Sequence, residues 1–148
     1  MQDIFRQIIN NKIFLATLCA WVAAQSVKVF LGVIREKRFD FRWILGTGGM
    51  PSTHAAGVAC LAASTGLVCG FDSAYFAIAA SFALIVMFDA QGVRRAAGRQ
   101  ARILNRIIED IYWRGKIDEV RLRELIGHTP IEVIAGFSLG IIVAVLMQ

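Results

Sequence analysis

The sequence is poor in the residues that build metal sites and disulfide frameworks. It has only two histidines and three cysteines among 148 residues. The cysteines, Cys19, Cys60 and Cys69, are odd in number, lie inside apolar runs and lack the spacing of metal ligands. We therefore interpret them as small core or lipid-facing residues. Internal repeats and low-complexity tracts are also absent.

Charge is scarce as well. Charged residues make up 18% of the chain and hydrophobic residues 57%, and the mean hydropathy is +0.60. A soluble domain is roughly 45–50% apolar, and here the excess lies in long runs, which is typical of a membrane protein. The length suits one domain. Beside these runs, the net charge of +5 favours an anionic membrane surface or substrate over nucleic acid.

Four apolar runs predict transmembrane helices over residues 13–34, 54–71, 74–90 and 131–147. The first run continues well past the small residues Ala23 and Ala24, so it is predicted to be a span and not a cleaved signal peptide. A short turn makes the second and third runs a helical hairpin. In the fourth, Gly136 and Gly140 have the G-x-x-x-G spacing of close helix contacts. We predict an all-α integral membrane protein with a single domain, residues 1–148.

The basic residues predict the orientation. The two loops on one side, residues 35–49 and 91–130, hold thirteen of the sixteen lysines and arginines, whereas the other side has Arg6 and Lys12. The positive-inside rule places both basic loops in the cytoplasm and both termini on the opposite side of the membrane, in a bacterial inner membrane or its equivalent.

The longer loop contains a predicted basic amphipathic helix that lies at the lipid interface. One face carries arginines and another carries isoleucines, namely Arg95, Arg99, Arg102, Arg106, Ile103, Ile107, Ile108 and Ile111. Asp118 and Gly127 have the residue types of an N-cap and a C-terminal stop, which predicts a second, short helix between them.

Polar residues that a membrane span tolerates poorly all fall at this same predicted face. They are Lys28, Arg35, Ser52, His54, Asp89, Arg94, Arg95, His128 and Glu132, and two glycines, Gly48 and Gly49, precede Ser52 in the sequence. Each histidine opens a helix, where free N–H groups and the positive end of the dipole suit phosphate. The two glycines let backbone N–H groups approach an anion closely. The pattern predicts a phosphate site with two histidines.

Each of these residues also has a simpler explanation. Lys28 and Arg35 could extend to the interface, Ser52 could only cap a helix, and Glu132 could only complement a helix dipole. Arg94 and Arg95 could only set orientation, with Asp89 as their partner. The coincidence of all of them on one face favours a site.

With these residues, the sequence resembles the divergent branch of the type-2 phosphatidic acid phosphatases, a superfamily that includes lipid phosphate phosphatases and vanadium haloperoxidases. The superfamily pattern is K-x-x-x-x-x-x-R-P, then P-S-G-H, then S-R-x-x-x-x-x-H-x-x-x-D. Residues 28–35 fit the first part except that Glu36 replaces proline, and residues 51–54 fit the second with Thr53 for glycine. His128 and Glu132 fit the end of the third, with glutamate for aspartate.

One arginine of the pattern is missing from its place, where Leu122 stands. The stretch DAQGVRRAAGRQA resembles the divergent branch's own signature and suggests Arg94 or Arg95 as the replacement. The resemblance covers residues 28–140. The family fold has six spans against the four predicted here, and the small-residue helices permit a homodimer that would complete the bundle.

The resemblance implies a phosphatase for a lipid phosphate or diphosphate, such as a polyprenyl diphosphate or phosphatidic acid, that needs no metal or other cofactor. His128 would be the nucleophile, Glu132 its orienting partner and His54 the general acid. The phosphoryl oxygens would be held by Lys28, Arg35, Gly49, Ser52 and Arg94 or Arg95.

Two other functions are also consistent with the sequence. The basic amphipathic helix could belong to a non-enzymatic protein that binds or moves anionic lipid. Alternatively, Asp89 and Glu132 could serve a metal-dependent phosphatase. Assays in chelator and trapping of a phosphohistidine at His128 distinguish the three.

Overall fold

The computed structural model describes residues 2–41, 43, 49–91, 93–113 and 128–148. These residues form six helices and no strand, which confirms the predicted all-α class. The helices are α1 (Gln2–Ile9), α2 (Lys12–Glu36), α3 (Thr53–Cys69), α4 (Ala74–Gln91), α5 (Val93–Trp113) and α6 (Pro130–Met147).

The four predicted apolar runs are the four helices α2, α3, α4 and α6, with ends that differ from the prediction by at most two residues. Two of them, α2 and α6, are long and apolar enough to cross a membrane, and only 17% and 22% of their most apolar windows are buried within the chain. Helix α3 and residues 74–90 of α4 are apolar but shorter. The structure therefore supports two candidate spans, and the prediction of four is not confirmed.

The turn between α3 and α4 makes these helices the predicted hairpin. Gly70 ends α3 with a positive φ of 92°, a conformation that glycine adopts without steric cost. The Ser73 hydroxyl donates to the Gly70 carbonyl oxygen at 2.7 Å and accepts from Phe76 N at 3.2 Å. These two bonds close the turn and start α4.

Helix α3 lies at the centre of the fold, in contact with α2, α4 and α6. The core between these helices consists of small side chains, including Ala16, Ala20, Cys60 and Ala144, which are all fully buried. Small residues let helix backbones approach closely. Cys60 is thus a core residue, whereas Cys19 and Cys69 are exposed, in agreement with the interpretation of the cysteines.

The G-x-x-x-G pair of α6 makes the close contact that its spacing predicts. A Cβ added to Gly136 would overlap the carbonyl oxygen of Ser52, and one added to Gly140 would overlap that of Ala56. Both glycines therefore face the backbone of α3 in the same chain. The spacing predicted a close helix contact but not which helix would make it, and the structure shows that it is α3.

Helix α5 is the predicted amphipathic helix. Gly98, Ala101 and Asn105 are buried, whereas Ile103, Leu104 and Ile107 are between 47% and 60% exposed. Its contacts with the other described helices are confined to α4. The predicted short helix between Asp118 and Gly127 lies outside the described residues.

Candidate active site

The first turn of α6 holds a histidine, a threonine and a glutamate in one hydrogen-bonded group. The Thr129 hydroxyl accepts from Glu132 N at 3.3 Å, and the Glu132 carboxylate accepts from Thr129 N at 3.1 Å. This reciprocal capping box fixes the start of the helix. The same carboxylate oxygen lies 3.0 Å from Nδ1 of His128, so Glu132 both caps the helix and orients the imidazole.

His128 is held rigidly from two sides. Its side chain is 3% exposed, and its backbone N–H donates to the Ala90 carbonyl oxygen at 3.1 Å. When Nδ1–H donates to the Glu132 carboxylate, the neutral ring has its lone pair on Nε2. The contact with Glu132 therefore involves one ring nitrogen and leaves the other for a different partner.

The start of α3 is joined directly to the start of α6. Ser52 is fully buried, its hydroxyl accepts from Ala55 N at 3.3 Å, and its own backbone N–H donates to the Glu132 carbonyl oxygen at 2.9 Å. Ser52 is thus the N-cap of α3. Thr53, which replaces the family's glycine, is also buried.

These links bring the two histidines together. The ring centroids of His54 and His128 are 6.0 Å apart, and the ring planes are inclined at 57°. Seventy-four positions separate them in the sequence. The predicted co-location of the two imidazoles at one end of the bundle is therefore a property of the fold.

Lys28 approaches the same group from α2. A Cβ added to Gly49 would lie 3.6 Å from Cγ of Lys28, so the lysine stem passes directly beside this glycine. Gly49 has a positive φ of 85°, a backbone conformation that side chains disfavour. Lys28 also interacts electrostatically with Glu132, which places a cation near the carboxylate and its histidine.

Arg35 and Asp89 are two further predicted site residues that the structure describes. Arg35 is exposed two helical turns beyond Lys28, and Asp89 is half-buried one position before Ala90. Gly48 lies outside the described residues, as do the side chains of Arg94 and Arg95. Within the described ranges, no group of three or more His, Cys, Asp or Glu side chains is placed to hold a metal ion.

Two residues of this region were missed in the sequence. Thr129 completes the capping box, and the T-x-x-E spacing from Thr129 to Glu132 could have identified it. Gln25 is 8% exposed within α2 and donates from Nε2 to the Trp43 carbonyl oxygen at 2.7 Å. A glutamine inside an apolar span was its signal, because such a residue is costly unless it has a partner.

Comparison with known proteins identifies the family of this chain. The family described as "Divergent PAP2 family" matches residues 9–143. The chain belongs to this family. This divergent PAP2 protein is also 38% identical over 152 residues to "Uncharacterized membrane protein YuiD" of Bacillus subtilis (strain 168), a match that covers 95% of this chain and 96% of that relative. No solved structure matches the chain.

The family match confirms the resemblance predicted from the three motif parts. All the site residues on α2, α3 and α6 lie inside the matched range. The relative's name associates that protein with a membrane, in keeping with the two candidate spans found here.

Proposed function

We propose that this divergent PAP2 protein is an integral membrane phosphatase that hydrolyses a lipid phosphate or diphosphate without a metal or other cofactor. One observation carries the proposal. A buried histidine, His128, is bonded through Nδ1 to Glu132 at 3.0 Å, and its ring centroid lies 6.0 Å from that of His54. This is the pair of groups that nucleophilic phosphoryl transfer requires, an oriented nucleophile and an acid for the leaving oxygen.

In the first step, Nε2 of His128 attacks phosphorus while the bond from phosphorus to the lipid oxygen breaks. His54, in its protonated form, gives its proton to that oxygen, so the lipid leaves as an alcohol or, from a diphosphate, as a monophosphate. Glu132 stabilises the positive charge that develops on the His128 ring. The product is phosphohistidine and neutral His54.

In the second step, water attacks the phosphorus of phosphohistidine and the P–N bond breaks. His54 now accepts a proton from that water and returns to its protonated form. Inorganic phosphate leaves, and Nε2 of His128 regains its lone pair. Both the charge and the protons balance over the two steps, and the enzyme returns to its starting state.

The phosphoryl oxygens need fixed donors because the transition state spreads negative charge over them. Lys28 and the backbone N–H of Gly49 are the donors that the geometry supports best, since the lysine stem passes 3.6 Å from a Cβ placed on Gly49. The family motif adds Arg35, Ser52 and Arg94 or Arg95 to the proposed set.

The proposal includes four spans, with the site and both basic loops in the cytoplasm. Helix α3 has 17 residues, a length of about 26 Å against a hydrocarbon core of about 30 Å. A mismatch of this size is accommodated by local thinning of the bilayer. The glycines of α6 are used within the chain, so the proposed homodimer would form through other surfaces.

The test is phosphate release from a panel of lipid phosphates by purified protein in EDTA. Wild type should release phosphate, His128→Ala should release none above background, and phosphate should be trapped on His128 after an acid-free quench. His128→Asn is a second variant, since it keeps a donor for Glu132 without a nucleophilic nitrogen. Ser138→Ala, an exposed position on the same helix, is the matched control.

Two results would contradict the proposal. One is equal phosphate release by wild type and both His128 variants on every substrate of the panel. The other is activity that disappears in chelator and returns with added metal, which would support the metal-dependent alternative with Asp89 and Glu132.

A second candidate function is non-enzymatic binding or transport of anionic lipid. Helix α5 favours it, because exposed Arg102 and Arg106 lie beside exposed Ile103, Leu104 and Ile107, the composition of an interfacial helix. It predicts that anionic phospholipid retained in detergent by the purified protein falls when Arg99, Arg102 and Arg106 are changed to glutamine. Retention should survive loss of either histidine. Unchanged retention in the arginine variant would count against this function.

A further inference from the structure

The chain turns back along α2 after that helix ends. The Trp43 N–H donates to the Asp40 carbonyl oxygen at 3.0 Å, and the Trp43 ring rests on Gly32, where an added Cβ would lie 3.1 Å from Cε3. The carbonyl group of Trp43 reaches Gln25. Glu36, the last residue of α2, is eleven positions beyond Gln25, so the chain returns about 16 Å along the helix at 1.5 Å per residue.

A polar side chain inside an apolar helix needs a hydrogen-bond partner from the protein. In a hydrocarbon environment an unsatisfied carbonyl group or side-chain amide costs several kcal/mol. Gln25 and Trp43 satisfy each other through the 2.7 Å bond from Nε2 to the carbonyl oxygen, and Gln25 is 8% exposed. The position of the returning chain therefore depends on a side chain of α2.

Gly49 also lies against α2. This residue follows Trp43 by six positions, has a φ of +85° and lies against the stem of Lys28, one helical turn beyond Gln25. Trp43 thus contacts α2 through a hydrogen bond to Gln25 and a ring contact with Gly32. Gly49 contacts α2 at Lys28. The pairing of Gly49 with Lys28 is the part of the proposed phosphate site that the Trp43 contacts would hold.

We propose that Gln25 is a positioning residue, which fixes the returning chain through Trp43 so that the Gly49 backbone and Lys28 bind one phosphoryl group together. The inference rests on the proposed function for its catalytic consequence. Its structural part, the hold of Gln25 on Trp43, is measurable without any reaction.

The test uses Gln25→Met, which keeps the length of the side chain and removes the donor, in protein whose sole tryptophan is Trp43 (Trp21→Phe and Trp113→Phe). The Trp43 emission should shift to longer wavelength as its ring leaves Gly32. In the catalytic assay, the inhibition constant of inorganic phosphate and the KM should rise about tenfold or more, the effect of losing one buried hydrogen bond. Ser26→Ala, the adjacent polar position on α2, is the control and should change neither.

A merely structural role gives a different result. If Gln25→Met only lowered the fraction of folded protein, the maximal rate would fall while the KM and the phosphate inhibition constant stayed constant, and the inference would be wrong. If Gln25→Met does not fold, Gly32→Ala takes its place, because its Cβ crowds the Trp43 ring and should produce the same shift and the same rise.

Failure of the proposed function is distinguishable from failure of this inference. If wild type releases no phosphate from any substrate, the function fails, and inorganic phosphate is titrated directly against the Trp43 emission. Weaker phosphate binding by Gln25→Met than by wild type would then support the inference. Equal binding, or no phosphate-dependent change in either protein, would overturn it.

Discussion

The carboxylate of Glu132 accepts one hydrogen bond from the Thr129 backbone and makes another with Nδ1 of His128. A helix cap and an oriented imidazole therefore depend on a single side chain. Two explanations of Glu132 were available in the sequence, a complement to the helix dipole and a partner for His128, and its position in the first turn of α6 and its contact with Nδ1 agree with both. The rigid first turn of α6 is what gives His128 a defined direction.

We predict that Glu132→Gln removes activity while the fold persists. The amide can still accept from Thr129 N through its oxygen, so the loss of stability should be about 1 kcal/mol or less. The amide carries no negative charge, however, so it cannot stabilise the positive charge that develops on the His128 ring during the reaction. Phosphate release should fall at least about 100-fold, measured as initial rates beside thermal unfolding.

Thr129→Val is the matched comparison for that prediction. It breaks the threonine half of the capping box and leaves the carboxylate, so it should lower stability by about 1 kcal/mol and retain most of the activity. If Thr129→Val and Glu132→Gln lowered activity equally, helix capping and not orientation of His128 would explain the effect.

At the scale of helices, the distance between the two histidines is set by the contact of α3 with α6. Ser52 N donates to the Glu132 carbonyl oxygen at 2.9 Å, and one turn further on Gly136 lies against the Ser52 carbonyl group. Because both contacts involve backbone, neither helix can shift without breaking them. The small side chains of this interface therefore serve the site as well as the packing.

We predict that Gly136→Ala lowers phosphate release more than Gly140→Ala does, although the two variants lose similar stability. The added Cβ would overlap a carbonyl oxygen, so α6 must move away from α3 close to both histidines. Overpacking of this kind costs about 1–3 kcal/mol, measured by thermal unfolding in detergent. Gly140→Ala meets the backbone of Ala56 and Cys60 one turn further from the site, and it should cost similar stability with a smaller loss of phosphate release.

Gly57→Ala is the control for both variants. A Cβ at Gly57, within α3, has no neighbouring atom within 4 Å, so the change should leave the melting temperature unchanged or raise it. A result in which Gly57→Ala and Gly136→Ala behave alike would show that helix propensity, and not contact between α3 and α6, determines the outcome.

At the scale of the whole molecule, the two ends of the helix bundle differ in charge, and the surface between them is apolar. The described end with Lys28, His54 and His128 also adjoins the basic loops in the sequence, whereas the turn between α3 and α4 at the other end has one charged residue, Asp72. Large exposed apolar side chains cover α2, α4 and α6 between these ends, including Phe30, Phe82 and Ile134. Such a surface suits lipid better than water.

We predict that Arg38 lies on the cytoplasmic side and that Asp3 and Asp72 lie on the other. Single cysteines at these exposed positions, in protein whose own three cysteines are replaced, are labelled with a membrane-impermeant maleimide. Asp3→Cys and Asp72→Cys should react in intact cells, and Arg38→Cys only after permeabilisation. Labelling of Asp3 and Asp72 on different sides would exclude the four-span arrangement.

The helices themselves were predictable because local composition determines them. Apolar runs, the turn at Gly70 and the alternation of arginine with isoleucine in α5 all act within a few residues, and the ends of the four apolar helices agree with the prediction to within two residues. Helix α1, which has no apolar run, was not predicted. The sequence also indicated His54, His128 and Glu132 as candidate site residues, since polar groups at the ends of apolar runs need a reason.

The partners of these residues required the three-dimensional arrangement. Nothing local to Gln25 indicates that it binds the carbonyl group of Trp43, and nothing local to Ser52 indicates that its N–H meets Glu132. Likewise, the spacing of Gly136 and Gly140 indicated a close contact, but only the structure shows that its partner is the backbone of α3. Contacts between residues far apart in the chain arise from the packing of whole helices, and that packing converts two separate histidines into one candidate site.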